Sequence, residues 1–254
     1  MSPSVTRPAS AASSQDVAVV LVNYNGTEDT LRCLKSLSGL ESSRCLSIVV
    51  DNGSRPDASG EIAEACSWAH VVRREVNGGW AGGNNTGIRR ALELGVEWIV
   101  LLNNDTIVAP SLIDQLLEAA RRHPRYRVLG PIIHYMDEPD VVMTDGCRFN
   151  RAGYPGFFER LEVSPSSEVP SRVVDVDIVN GCCMMVAAEV FHRVGLIDER
   201  FFLIHEESDL CLRAGRAGFA CGVLAEPLVW HKGSSSFQRE GRSLQRYYDT
   251  RNLF

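Results

Sequence analysis

Runs of β-branched and aliphatic residues alternate along this chain with stretches in which apolar residues return every three or four positions. Val17–Val22 reads as a buried strand, and Glu28–Leu40 as a helix with Leu31, Leu34 and Leu37 at helical spacing. Leu46–Val50 predicts a second strand, Ala58–Cys66 a second helix and Val71–Arg73 a short third strand. A glycine-rich segment, Asn77–Gly87, runs into a helix ending near Leu94 and Gly95. Trp98–Leu102 is another strand and Pro110–His123 another helix, its proline suited to a first turn. Apolar strands alternating with helices predict an α/β fold, a doubly wound and mainly parallel sheet covered on both faces.

The second half is less regular. Val128–His134 reads as a strand, and Asp137–Pro170 as loop, with proline and glycine scattered through it. Val173–Val179 and Cys182–Val186 predict strands, Ala188–Val194 a short helix and Glu206–Ala217 a longer one. Gly222–Leu224 and Leu228–Trp230 predict two further strands.

Composition narrows the classes. At 254 residues the chain can bury a core without disulfide or zinc staples. A net charge of −6 argues against a nucleic-acid binder, which would carry a basic surplus. The longest apolar run, Cys182 to Ala188, has 7 residues, far below the ~18 needed to span a bilayer. Residues 1–15 lack the apolar stretch of a signal peptide and read as a disordered leader. Eight cysteines without a C-x-x-C spacing read as reduced, packed thiols of a cytoplasmic protein, with oxidised bridges as the lesser alternative. Segment 232–254 carries Lys232, Arg239, Arg242, Arg246 and Arg251 against Glu240 and Asp249. That basic surplus reads either as a solvated helix face or as a surface for an anionic acceptor or the inner membrane face.

Three polar clusters each follow a predicted strand: Asn23-Tyr24-Asn25-Gly26, Asp51-Asn52-Gly53-Ser54 and Asn103-Asn104-Asp105. Alone, each is an ordinary turn. Parallel strands bring all three to one sheet edge, where open α/β sheets bind ligands. Asp51 could accept the N–H of a nucleobase ring, or cap its strand as an Asx-turn. Asp105 is a candidate ligand for a hard divalent cation whose other oxygens come from a diphosphate. The glycines at 78, 79, 82, 83 and 87 let backbone approach a ligand, though a tight structural turn would use them too. Glu206-Glu207 opens a helix, where carboxylates offset the macrodipole or one serves as general base. His231 reads as a packed histidine or, near a metal, as a ligand.

In order and spacing these segments resemble a family 2 inverting glycosyltransferase of the GT-A fold, rhamnosyltransferase-like branch. The resemblance runs through VNYNG (22–26), VDNGS (50–54), NGGWAGGNNTGI (77–88), LLNNDT (101–106), NG (180–181), GLIDERFFLIHEESDLCLR (195–213), WHKGSSS (230–236) and YYDTRN (247–252). It implies a single catalytic domain over 16–231, with a nucleotide-binding half over 16–127. The acceptor half, 128–231, would carry a smaller mixed sheet, and relatives usually continue into further helices beyond the basic segment 232–254. It implies a nucleotide-diphosphate sugar donor such as dTDP-rhamnose, a glycan or lipid-linked glycan acceptor, and Mg²⁺ or Mn²⁺. Asn23 and Asp51 would line the base pocket, Asn77, Gly79 and Asn85 the wall around ribose and sugar, and Asn103 and Asn104 the D-x-D position. Asp105 and His231 would hold the metal. Glu207 would be the base, with Glu206 as the alternative carboxylate. Two positions depart from the family pattern: Asn103 stands where the first D-x-D aspartate is usual, and Glu207 where aspartate is commoner. A nucleotidyltransferase would want a basic glycine-rich loop after the first strand, which is lacking. A non-catalytic nucleotide-sugar binder would not need Asp105, His231 and the two carboxylates together.

Overall fold

An unbroken apolar run puts β1 (Val17–Asn23) in the interior, with Val17–Leu21 fully buried. The computed structural model describes residues 16–38, 45–149, 158–160, 172–233 and 242–252, so the expected leader lies outside the described residues. β1 pairs in parallel with β2 (Cys45–Asn52) on one side and β4 (Trp98–Asn103) on the other. β3 (His70–Arg74) adds to β2, giving the parallel order β3-β2-β1-β4. The crossovers are α1 (Thr27–Leu37), α2 (Ser59–Ala65) and α3 (Gly79–Glu93). After a short strand, β5 (Thr106–Val108), comes α4 (Leu112–Arg122), which buries Leu112, Ile113, Leu116, Ala119 and Ala120. The fold is α/β around a central, mostly parallel sheet.

The second half of the chain continues that same sheet. β6 (Tyr126–Tyr135) and β4 flank β11 (Cys183–Ala187), which is antiparallel to both. β12 (Ala220–His231) lies parallel to β6, with β10 (Val173–Val176) outside it, while β7 (Val142–Thr144) pairs with β6 and β5 with β12. A separate two-stranded sheet joins β8 (Cys147–Phe149) to β9 (Phe158–Arg160). The helices of this half are α5 (Ala188–Val194), α6 (Glu206–Arg216) and α7 (Arg242–Asn252).

Two elements differ from expectation for identifiable reasons. The glycine-rich segment is not a loop leading into a helix; from Gly79 onward it is the helix. Its glycines bring α3 against the sheet: a Cβ at Gly83 would lie 2.6 Å from Val22 Cγ1, and one at Gly87 2.2 Å from Val20 Cγ1. The two strands expected at 222–224 and 228–230 are one, because the breaker at Pro227 is absorbed by register shifts on either side of it. β10 also stops at Val176, short of the expected Val179. Strands β5, β7, β8 and β9 have three residues each, too short for a periodic signal. All eight cysteines are free thiols, and all but Cys147 are buried. Among the described residues no helix is long and apolar enough to cross a membrane.

Candidate active site

Strand register brings the polar clusters to one level. Asn23 is paired with Asp51 across β1 and β2, and Val22 with Asn103 across β1 and β4, so all three clusters leave the sheet along one edge. A hydrogen-bonded floor links them. Asn23 Nδ2 donates to Asp51 Oδ1 at 3.0 Å, Thr30 Oγ1 donates to Asn23 Oδ1 at 2.9 Å, and Asn104 Nδ2 donates to Thr30 Oγ1 at 2.8 Å. Asp51 is fully buried and its oxygens are engaged, Oδ1 by Asn23 and Ser54 and Oδ2 by Arg73 at 2.5 Å. Arg73 also reaches Asp57 at 3.0 Å and covers the Asp51 carboxylate. Sequence reasoning did not single it out; a charged residue at the end of a short strand gives no signal of its own.

The predicted donor wall divides into contacts of two kinds. Asn77 and Asn52 shape the entry to α3: Asn52 Nδ2 donates to Asn77 Oδ1 (2.9 Å) and to the Gly79 carbonyl (3.0 Å), and Asn77 Oδ1 accepts the Gly79 N–H (2.8 Å). Gly79 has φ +68, and a Cβ there would lie 2.2 Å from the Phe202 carbonyl oxygen, so the α3 entry and the segment before α6 touch backbone to backbone. Asn85 lies further along α3, buried, with Nδ2 donating to the Ile197 carbonyl (2.8 Å) and Glu199 (2.9 Å) and Oδ1 accepting the Ile197 N–H (3.0 Å). It clamps α3 to the 197–199 segment and does not join the hydrogen-bonded floor.

At the D-x-D position the antiparallel pairing of β5 with β12 sets His231 opposite Thr106. His231 Nε2 then lies 2.9 Å from Asp105 Oδ1 and 3.4 Å from Asn103 Nδ2. Carboxylate and imidazole side by side, both largely buried, are donors suited to a divalent cation. Among the described residues no group of three or more His, Cys, Asp or Glu is placed to hold a metal ion. Two protein donors fit an ion such as Mg²⁺ or Mn²⁺, which keeps waters and takes diphosphate oxygens. Lys232, next in the chain, is held by Asp29 at 3.0 and 3.2 Å, so one cation of the basic segment is spent on the fold.

Trp80 bridges this corner to the carboxylates. Its Nε1 donates to Asn103 Oδ1 at 3.0 Å, and a Cβ at Gly181 would lie 3.1 Å from Trp80 Cζ2 and 3.4 Å from Glu207 Cβ. An aromatic set among glycines was the available signal for Trp80. Glu206 and Glu207 begin α6 directly after Phe202, Ile204 and His205, whose φ angles are +64, +69 and +72. Such left-handed conformations cost about 1–2 kcal/mol per residue. Glu206 is buried and its Oε2 lacks a hydrogen-bond partner among the described residues. Burial, reinforced by the Glu207 charge, raises the Glu206 pKa well above the usual carboxylate range. Glu207 is raised too, by burial, with the N–H groups of Glu207 and Ser208 opposing.

Comparisons with known proteins bear on the family and the fold. The family model described as "Glycosyl transferase family 2" matches residues 18–195. The low-salt glycan biosynthesis hexosyltransferase Agl10 of Haloferax volcanii is 30% identical over 247 residues, covering 94% of this chain and 74% of the relative. The N-acetylglucosaminyl-diphospho-decaprenol L-rhamnosyltransferase of Mycobacterium tuberculosis is 29% identical, covering 89% of this chain and 78% of that protein. Among solved structures, GalNAc-T7 with UDP, GalNAc and Mn²⁺ superimposes with a TM-score of 0.70 at 15% identity. That match covers 85% of this chain and 42% of the GalNAc-T7 chain, and it shows the fold, GT-A. With the family model spanning most of its residues and a relative matched along nearly its whole length, the chain belongs to glycosyl transferase family 2 and is a glycosyltransferase.

Proposed function

We propose that the protein transfers a sugar, with inversion, from a nucleotide-diphosphate sugar to a hydroxyl of a glycan or lipid-linked glycan acceptor. The observation that carries this reading is the chain of side-chain contacts from the Asp105–His231 pair through Asn103 to Trp80, whose ring and Glu207 both crowd the Gly181 backbone. The name of the mycobacterial relative supports rhamnose as the sugar and a diphospho-decaprenol-linked glycan as acceptor, and that of a dTDP-rhamnosyl transferase from Shigella flexneri, 26% identical, supports dTDP-rhamnose as donor.

In the proposed reaction the acceptor oxygen attacks the anomeric carbon as the bond from that carbon to the diphosphate oxygen breaks, and Glu207 takes the acceptor proton. The two carboxylates divide the work: Glu206, more deeply buried and with the Glu207 charge beside it, holds its proton, while Glu207, stabilised as the anion by the N–H groups of Glu207 and Ser208, is the one that ionises. Asp105 and His231 would hold the cation, which when bound neutralises charge on the departing diphosphate. Asn103 fixes the Trp80 ring beside Glu207. Asp51 would read a nucleobase N–H by exchanging its Ser54 or Arg73 bond for it.

The test is a donor panel with analysis of the released nucleotide. Nucleoside diphosphate release, from dTDP-rhamnose above others, is the expected result. Pyrophosphate release would indicate nucleotidyl transfer instead, and no turnover of any donor would leave a binding module.

A further inference from the structure

We propose that Asn252, with Arg251, is a positioning residue that holds the left-handed run before α6 and so aims Glu206 and Glu207. This rests on the reading of Glu207 as the base. Phe202, Ile204 and His205 all lie at positive φ, and one of them is β-branched. L residues adopt this region rarely, and such a run persists only where its surroundings over-determine it.

Helix α7 supplies that constraint. The Asn252 side-chain amide points its Nδ2 at three carbonyl oxygens of the run: Phe201 at 3.0 Å, Leu203 at 2.6 Å and Ile204 at 2.7 Å. An amide nitrogen has two hydrogens, so the three acceptors share them, and a side chain without such a donor could not replace this contact. Arg251 adds Nη2 bonds to the carbonyls of Arg200, at 2.6 Å, and Phe201. The Tyr248 ring stacks on Phe202 at 5.3 Å between centroids, and the Arg251 guanidinium lies 4.7 Å from the Tyr248 centroid. On the far side the Phe202 carbonyl accepts the Ala81 N–H at 3.4 Å. The run is thus gripped between the entry to α3 and the end of α7, and Glu206 is the residue that follows it. The YYDTRN motif, which the basic-tail reading left without a task, ends in the two residues that make this grip.

The test compares Asn252→Asp, Asn252→Gln and, as a control, Thr250→Ala, an exposed position on the same helix, in the full chain. Asn252→Asp keeps the shape and turns a donor toward carbonyls into an acceptor. Turnover is read with the donor the panel identifies, dTDP-rhamnose on the present proposal, alongside amide hydrogen exchange at residues 201–207. The expected result for Asn252→Asp is a kcat loss of up to about 100-fold, the scale of a slight misplacement of a reacting group, with donor KM little changed. Exchange at 201–207 accelerates, Asn252→Gln recovers part of the rate by keeping the donor, and Thr250→Ala behaves as wild type. Unchanged kcat in both Asn252 variants overturns the proposal, as does a loss that disappears when all proteins are assayed well below their melting temperatures. If Asn252→Asp does not fold, Asn252→Gln alone decides by the same two readouts. Should Glu207→Gln turn over at the wild-type rate while the Asn252 variants lose kcat and exchange faster, the base assignment fails and the positioning role stands.

Discussion

Alanine at Gly87 and at Gly82 should move stability in opposite directions, because both sit inside α3 but only one faces the sheet. At either position alanine gains about 1 kcal/mol of helix propensity over glycine. At Gly87 the new methyl would lie 2.2 Å from Cγ1 of the fully buried Val20, in a core with no slack. Overpacking of that kind costs about 1–3 kcal/mol, and so close a contact falls toward the upper end. The net loss is about 1–2 kcal/mol, or a melting temperature lower by about 2–8 °C in a chain of this size. At Gly82 the nearest atoms are the far ends of Arg74 (3.3 Å) and Glu199 (3.5 Å), and a shift of a few tenths of an ångström in the Arg74 guanidinium, small enough to keep its bonds to the Gly82 carbonyl and Thr86, makes room. There the propensity gain survives, raising the melting temperature by about 2–4 °C. Thermal unfolding of the two variants reads the split directly. Adding Val20→Ala to Gly87→Ala should show a favourable coupling of about 0.5–3 kcal/mol in a double-mutant cycle. Two alanines that destabilise alike and both weaken nucleotide binding would refute the packing argument and restore the segment as a ligand-cradling loop.

Two further outcomes follow from the site. A nucleoside diphosphate such as dTDP or UDP with Mn²⁺, at 100-fold above its Kd, should stabilise the native chain by about 2.7 kcal/mol. Asp105→Ala or His231→Ala should abolish the Mn²⁺-dependent part of the thermal shift; a shift indifferent to Mn²⁺ in all three proteins would remove the metal role. Burial raises the folded-state pKa of Glu206, so the folded chain binds that proton more tightly than the unfolded one. Its contribution to stability is therefore whole below the unfolded carboxylate value. It is lost as pH rises through the raised one, by about 1.4 kcal/mol per pH unit inside that window. Glu206→Gln should then melt higher than wild type at pH 8 and level with it at pH 4. A gap that widens toward acid would show the sign to be wrong.

The strands of the first half were legible because buried parallel strands write themselves as continuous apolar runs, as in Val17–Val22 and Trp98–Leu102. Their polar ends were legible for the same reason: once the strands are known to be parallel, Asn23, Asp51 and Asn103 must share an edge. What was not legible depends on tertiary contact. Nothing local says that Gly83 and Gly87 lie inside a helix, since their value comes from Val22 and Val20 on β1, more than fifty residues away. Pro227 broke a strand in the sequence because a register shift against β6 leaves no mark in composition. Asn85 reads the same whether it faces a sugar or, as here, the backbone of Ile197. Asp51 carries no sign in the sequence of the Arg73 that covers it. The role of Asn252 rests on carbonyls some fifty positions upstream, which no pattern around YYDTRN announces.

The most direct test of the account is the steady-state rate of Glu207→Gln, a change that keeps size and removes basicity. The account predicts a kcat lower by about 10²–10⁴, the usual contribution of a general base, with donor KM close to wild type. In the wild-type protein it also predicts kcat/KM falling toward acid as Glu207 takes up its proton, from a pKa that burial has raised. A Glu207→Gln protein that transfers sugar at the wild-type rate would contradict it.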